Sequence, residues 1–280
     1  MKEKDLPVAR KRELFAAAFG PRLLDDGFFP VKRAFETGSF YCRFQPGLGF
    51  VRVAFEPLSQ GMGWRVDAAL CPYLMGYEAG RWARPVAVGL TRRTKLFDGK
   101  EPFTLQPFER QLEMQYADFF DNLYGPLLAI RDAEQLYAAA HTVYGDEEEV
   151  NERTDGIDDT LRHSLGWETR LLLSAATGRE AQARAALSEL LRADKALLFS
   201  KNVRDELPPF PVSDPEVQAW IDARREERRQ PVRVRFDRYS RLQTRLEAEG
   251  STALEEFVRA NVERSRSACR AEFGKRFTDG

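Results

Sequence analysis

Histidine is almost missing from this chain of 280 residues, which holds only His141 and His163. A zinc centre with several imidazole ligands is therefore excluded by counting. Cysteine is scarce too: Cys42, Cys71 and Cys269 are an odd number with no C-x-x-C pair, so neither a disulfide framework nor a zinc ribbon is written here. Cys42 falls on the apolar side of an expected strand and Cys71 ends another, which points to reduced, buried thiols. No apolar run approaches the ~20 residues that a membrane span needs. Met1-Lys2-Glu3-Lys4-Asp5 leads into a charged amphipathic segment rather than the apolar centre of a signal peptide. The expected compartment is the cytoplasm, with no membrane partner. A net charge of −1 leaves no excess of one sign for a whole-molecule grip on nucleic acid, so any basic interface has to be local.

Catalytic signatures are missing as well. Ser39, Ser59 and Ser164 lack a Gly-x-Ser-x-Gly elbow, and adjacent His163 and Ser164 point in different directions on a helix. Gly47-x-Gly49 and Gly61-x-Gly63 lack the following helix and the lysine of a phosphate loop, and read as hairpin turns. No period of solenoid length recurs. No cofactor is expected.

Hydrophobic residues, at 43%, and charged residues, at 31%, are in the proportions of a globular protein able to bury a core. Phe35 to Cys71 organises the chain. Phe40, Cys42 and Phe44 alternate with Tyr41 and Arg43, and the pattern repeats from Val51 to Phe55 and from Trp64 to Leu70. Period two between glycine turns predicts an antiparallel meander. A fourth strand is expected at Val86–Leu90. Before the meander, residues 8–26 read as a helix with a break at Gly20-Pro21 and a cap at Gly27.

From Gln106 the period becomes 3.6. Leu112, Tyr116, Phe119, Phe120 and Leu123 mark a helix ended by Gly125-Pro126, and Asp132 caps the next. Helices follow around Leu161–Ala176 and Ala183–Leu191, paired as a hairpin about Gly178. Another starts at the capping box Ser213-Asp214-Pro215-Glu216, with Val217, Trp220 and Ile221 as its apolar face. Val232, Val234 and Phe236 read as an added edge strand, before helices near 238–249 and 252–274. The fold class is α+β: an N-terminal helix on an antiparallel sheet of about four strands, then a mainly helical half. The expected division is 1–106 and 107–280, with an acidic joint at 146–159.

Three groups of residues are candidate sites. In the acidic joint, Asp155, Asp158, Asp159 and His163 lie close in sequence, and Asp159 and His163 share a helix face, as ligands of a divalent ion would. Carboxylates at a helix start explain the same residues without metal. The second group is basic: Arg224, Arg225, Arg228, Arg229, Arg233, Arg235, Arg238, Arg241 and Arg245 against Glu226, Glu227 and Asp237, a local balance of +6. Guanidinium groups suit phosphate, and Phe236 and Tyr239 could stack on bases. A solvated helix face opposite the acidic joint is the plainer account. The third is an aromatic, arginine-dotted sheet face of Tyr41, Arg43, Phe50, Arg52 and Arg65, suited to a protein partner if no helix covers it. If helices cover it, the sheet is a middle layer.

Gly27-Phe28, Lys32, Ser39-Phe40-Tyr41-Cys42-Arg43-Phe44, the Val51 strand and the Gly63-Trp64-Arg65-Val66 strand together resemble the opening of small bacterial α+β families similar to immunity proteins of toxin systems. The resemblance covers roughly the first 75 residues and implies a non-catalytic binding role; the expected mode of action is occlusion, with a charged and aromatic surface covering a partner's site. The long helical second half departs from those families. The expectation is a cytoplasmic protein-interaction module that is not an enzyme. The alternatives are nucleic-acid binding through Arg224–Arg245 and a metal-dependent enzyme at Asp155–His163.

Overall fold

The structure is a computed structural model that describes residues 6–31, 40–57, 64–76, 90–93, 106–144, 167–199 and 215–277. The chain divides into two compact units. One comprises Met1–Leu165 with Ala260–Gly280, and the other is Gly166–Arg259. The helices after residue 107 and up to Tyr144 thus belong with the sheet.

The first unit is α+β, as the patterning predicts. Helix α1 (Val8–Asp25) continues through Pro21 rather than breaking there. Its end is closed at Gly27, whose φ of 82° suits a residue without Cβ. There Phe28 N–H donates to Leu23 O and Gly27 N–H to Leu24 O, the paired bonds of a Schellman cap. Strands β1 (Phe29–Val31), β2 (Phe40–Gln45), β3 (Gly49–Pro57), β4 (Trp64–Pro72) and β5 (Leu90–Arg93) form an antiparallel sheet in sequence order. The expected meander is its centre. The expected fourth strand is met only at Leu90, where β5 begins; residues 86–89 lie outside the described residues.

Register assigns the two faces. Cys42 pairs with Arg52 and Phe44 with Phe50, while Tyr41 pairs with Val53 and Arg43 with Val51. On the Tyr41 face lie Phe55 and Trp64, packed by α1 and by α2 (Phe108–Asp118). Phe15 stands 5.9 Å from Phe55 and 6.4 Å from Trp64, and Trp64 lies 5.5 Å from Phe108. The Trp64 indole N–H donates to Gln111 Oε1 at 2.8 Å, and the Gln111 amide donates to Gln106 O. The buried line of α2 is therefore Phe108, Gln111 and Gln115, with Leu112 only partly covered. Gly125-Pro126 does not end this helix. A π-helical turn, Phe119–Tyr124, leads without a break into α3 (Gly125–Ala129), which carries Pro126. Helix α4 (Ala133–Tyr144) begins as expected: Gln135 N–H donates to Asp132 Oδ1 at 2.8 Å.

The opposite face carries Phe29, Phe44 and Phe50, and the chain's last helix returns to cover it. Within Ala260–Gly280, Phe273 lies 5.7 Å from Phe29 and 5.2 Å from Phe44, and Phe277 lies 5.1 Å from Phe44. The Asn261 amide donates to Leu74 O at 3.0 Å and the Ser265 hydroxyl to Tyr73 O at 2.6 Å, which holds the corner after β4. The sheet is a middle layer.

The second unit is helical. Helices α5 (Trp167–Ala176) and α6 (Glu180–Phe199) form the expected hairpin about Gly178. Then come α7 (Pro215–Glu249) and the start of α8 (Ser251–Phe273). One cluster holds them together: Leu171, Leu187, Leu190, Tyr239, Leu242, Leu246 and Leu254 are all buried in it. The edge strand expected at Val232–Phe236 is instead helix. Val232, Phe236, Tyr239, Leu242 and Leu246 recur at intervals of four, three, three and four, a helical stripe longer and better satisfied than the short alternation.

Two outcomes test these assignments. A Cβ on Gly49 would stand 2.2 Å from Cys71 O and 2.7 Å from Pro72 Cα. Gly49→Ala should cost at least about 1–3 kcal/mol in urea unfolding, and an unchanged midpoint would refute the β3–β4 register. In the second unit, burial and the neighbouring Glu168 hold the Tyr239 phenol well above its usual range. A phenol that ionises less readily folded than unfolded contributes stability in full below about pH 10 and loses it as pH rises, by about 1.4 kcal/mol per unit. Tyr239→Phe should lessen that alkaline loss, with Tyr41 and Tyr124 left to contribute the remainder, as read by urea unfolding of both proteins between pH 9 and pH 11.

Candidate interaction surface

The five sheet residues do not form one exposed surface. Tyr41 and Arg43 sit on the face packed by α1 and α2, whereas Phe50, Arg52 and Arg65 sit on the opposite face. Phe50 is wholly buried, Arg52 is 5% exposed and Arg65 is 7% exposed. The geometry on that second face is electrostatic. Arg52 Nη2 meets Asp67 Oδ2 at 2.5 Å, with Asp67 4% exposed, and Arg65 Nε meets Glu56 Oε2 at 2.5 Å. Arg52 pairs in register with Ala69 and Ala54 with Asp67, so guanidinium and carboxylate meet diagonally across adjacent strands. The three cysteines are free thiols and buried, and burial pushes the Cys42 thiol well above its ordinary range, the reverse of an activated nucleophile. Asp67→Ala removes the carboxylate that meets a buried guanidinium, for which about 3–5 kcal/mol of destabilisation is expected; replacing Arg52 and Asp67 together by Met and Leu should recover most of it. Chemical unfolding of the three proteins checks this.

Asp155, Asp158, Asp159 and His163 lie outside the described residues. Among the described residues, no group of three or more histidine, cysteine or acidic side chains is placed to hold a metal ion. No described helix is long and apolar enough to cross a membrane.

The basic run lies on α7, and its charges are mostly met within the second unit. Arg224 pairs with Glu227 at 2.9 Å, and Arg233 pairs with Glu226. Arg235 holds the buried Asp194, with Nε 2.9 Å from Oδ2, and Arg245 bridges Glu249 and Glu256. Arg238 lies over the Phe257 ring at 4.9 Å. Tyr239, offered as a stacking platform, is buried and donates to Glu168 Oε1 at 2.5 Å. Arg229 is half-buried and Arg241 exposed; the side chains of Arg225 and Arg228 lie outside the described residues. Arg224, Arg233, Arg235 and Arg245 thus face carboxylates of the second unit itself.

What the sequence reading missed is the outer part of α7. The helix has 35 residues and α6 has 20, and the shared core takes its side chains from Tyr239 onward. Among the described residues of Pro215–Val234 no side chain is buried. This limb is about 30 Å long at 1.5 Å per residue. Val217 is 43% exposed, Trp220 56% and Val234 58%. Val217 and Trp220 are therefore not a core-facing stripe. The available signal was the run of intervals of three and four, Val217, Trp220, Arg224, Glu227, Pro231 and Val234, which passes straight through the proline.

The chain matches no protein-family model, no curated protein and no solved structure.

Proposed function

We propose that this chain is a cytoplasmic protein-interaction module, not an enzyme, that docks through the Pro215–Val234 limb of α7 and acts by covering a site on its partner. A defence-associated role of the immunity-protein kind fits that mode of action. The observation that carries the reading is the exposure of Val217, Trp220 and Val234 along a helical limb that buries none of its described side chains. Exposed apolar residues set among charges are the composition of a docking face, and tryptophan supplies contact energy there out of proportion to its number. The cytoplasmic assignment is supported by three cysteines that are thiols rather than disulfides.

The test is capture from nuclease-treated lysate of the native host, with the full chain as bait. A stoichiometric protein should be retained by the wild type, and Trp220→Ala should weaken it about 30-fold, as loss of a 2 kcal/mol anchor requires. Capture that ignores Trp220 would refute the limb as the docking element. Capture that disappears with nuclease, and falls with salt at a slope of about −0.9 per phosphate, would return the assignment to nucleic acid and Arg224–Arg245.

A further inference from the structure

The exposed stripe of α7 is complementary to itself when reversed. Its members are Val217, Trp220, Arg224, Glu227, Pro231 and Val234, at the alternating intervals of three and four that keep residues on one seam of a helix. The geometry confirms that the inner members adjoin: Arg224 Cζ lies 5.7 Å over the Trp220 ring, and Arg224 Nη1 is 2.9 Å from Glu227 Oε2. Reversal of the stripe about the midpoint between Arg225 and Glu226 sets Val217 opposite Val234, Trp220 opposite Pro231 and Arg224 opposite Glu227. Beside the seam, Asp222 comes opposite Arg229. Apolar meets apolar at both ends, and charge meets counter-charge at the centre.

We infer that the limb pairs antiparallel with the limb of a second copy of this chain, across a two-fold axis at Arg225–Glu226. The inference rests on the interaction reading above and names its partner. A two-fold axis requires each residue to find its complement on the same surface, and this stripe supplies one for each of its members. Charge decides the direction. Parallel limbs would set Arg224 on Arg224 and Glu227 on Glu227, whereas antiparallel limbs exchange the two intrahelical ion pairs, one on each copy, for two pairs between copies. Trp220 would stack on the ring of the partner's proline, a flat apolar face that is 56% exposed at the tryptophan in the single chain. Six seam residues a side make a small interface, so association belongs in the weak class and follows concentration.

Sedimentation equilibrium of the full chain over roughly 1 μM to 1 mM, the span open to a short helix pair, tests this. The wild type should pass from monomer to dimer. Arg224→Glu and Glu227→Arg each place like charges opposite one another twice, and either protein alone should weaken association at least tenfold. An equimolar mixture of the two restores both cross-copy pairs and should dimerise as the wild type does. Both side chains are exposed, at 58% and 69%, so the fold should survive either change, with unaltered thermal unfolding as the check. A wild type that is monomeric throughout, variants that associate as tightly as the wild type, or a mixture that stays monomeric would each overturn the pairing. A monomeric wild type that still captures a host protein through Trp220 overturns the pairing and leaves the interaction reading intact. A limb-dependent dimer that captures nothing else upholds the pairing and ends the reading in which a partner's site is covered.

Discussion

A sheet packed by helices on both faces has no wet side, and a charge that its strands carry inward needs a counter-charge within the protein. Arg52 shows the constraint most sharply. Its guanidinium points from the central strand into the layer under the returning helix, and Asp67 on the adjacent strand meets it there. Desolvation of either charge alone would cost several kcal/mol, so the two residues are tolerable only together. Several neutral polar groups of this unit are hydrogen-bonded there as well. Gln111 accepts from the Trp64 indole, and Asn261 and Ser265 satisfy the carbonyls of Leu74 and Tyr73 where β4 ends. Aromatic rings fill what remains of both layers.

The second unit obeys a different constraint, the unequal length of its helices. Its core ends near Tyr239, where the phenol donates to Glu168 and the neighbouring Arg235 closes over Asp194. Beyond that edge α7 runs on with polar side chains bonded along its own surface, as in the Arg224–Glu227 ion pair and the Gln218 amide that donates to Asp222. Those bonds keep a helix together without hiding its apolar residues. The stripe that results is exposed at Val217, Trp220 and Val234.

Much of this was legible in the residues. Gly27 and Asp132 perform the capping assigned to them, Gly178 marks the hairpin, and the period-two segments are the central strands. The parity of β3 was not legible. Val51, Val53 and Phe55 look like the buried side and Phe50 and Arg52 like the wet one, but a sheet covered on both faces buries all of them, and an arginine looks the same in sequence whether solvent or Asp67 awaits it. On α2, Leu112 draws attention to one face while Gln111 and Gln115 occupy the interior, because the indole of Trp64, distant in sequence, needs an acceptor. On α7, Pro231 and the alternation around it suggest an interruption, yet the helical stripe from Val232 to Leu246 prevails. Exposure of Val217 and Trp220 depends on what packs against them, which no local pattern records.

The return of the chain also sets an order of events at the ribosome. Phe29, Phe44 and Phe50 are made early, but Phe273 and Phe277, which roof them, are encoded after the whole second unit. At roughly 5–20 residues per second, the ~200 residues in between take roughly 10–40 s to emerge. Once α2 has emerged, the nascent sheet has one packed face and one aromatic face that still lacks its roof. The inserted helical unit can complete its own core while the first waits, so the protein born first is the last to be sealed.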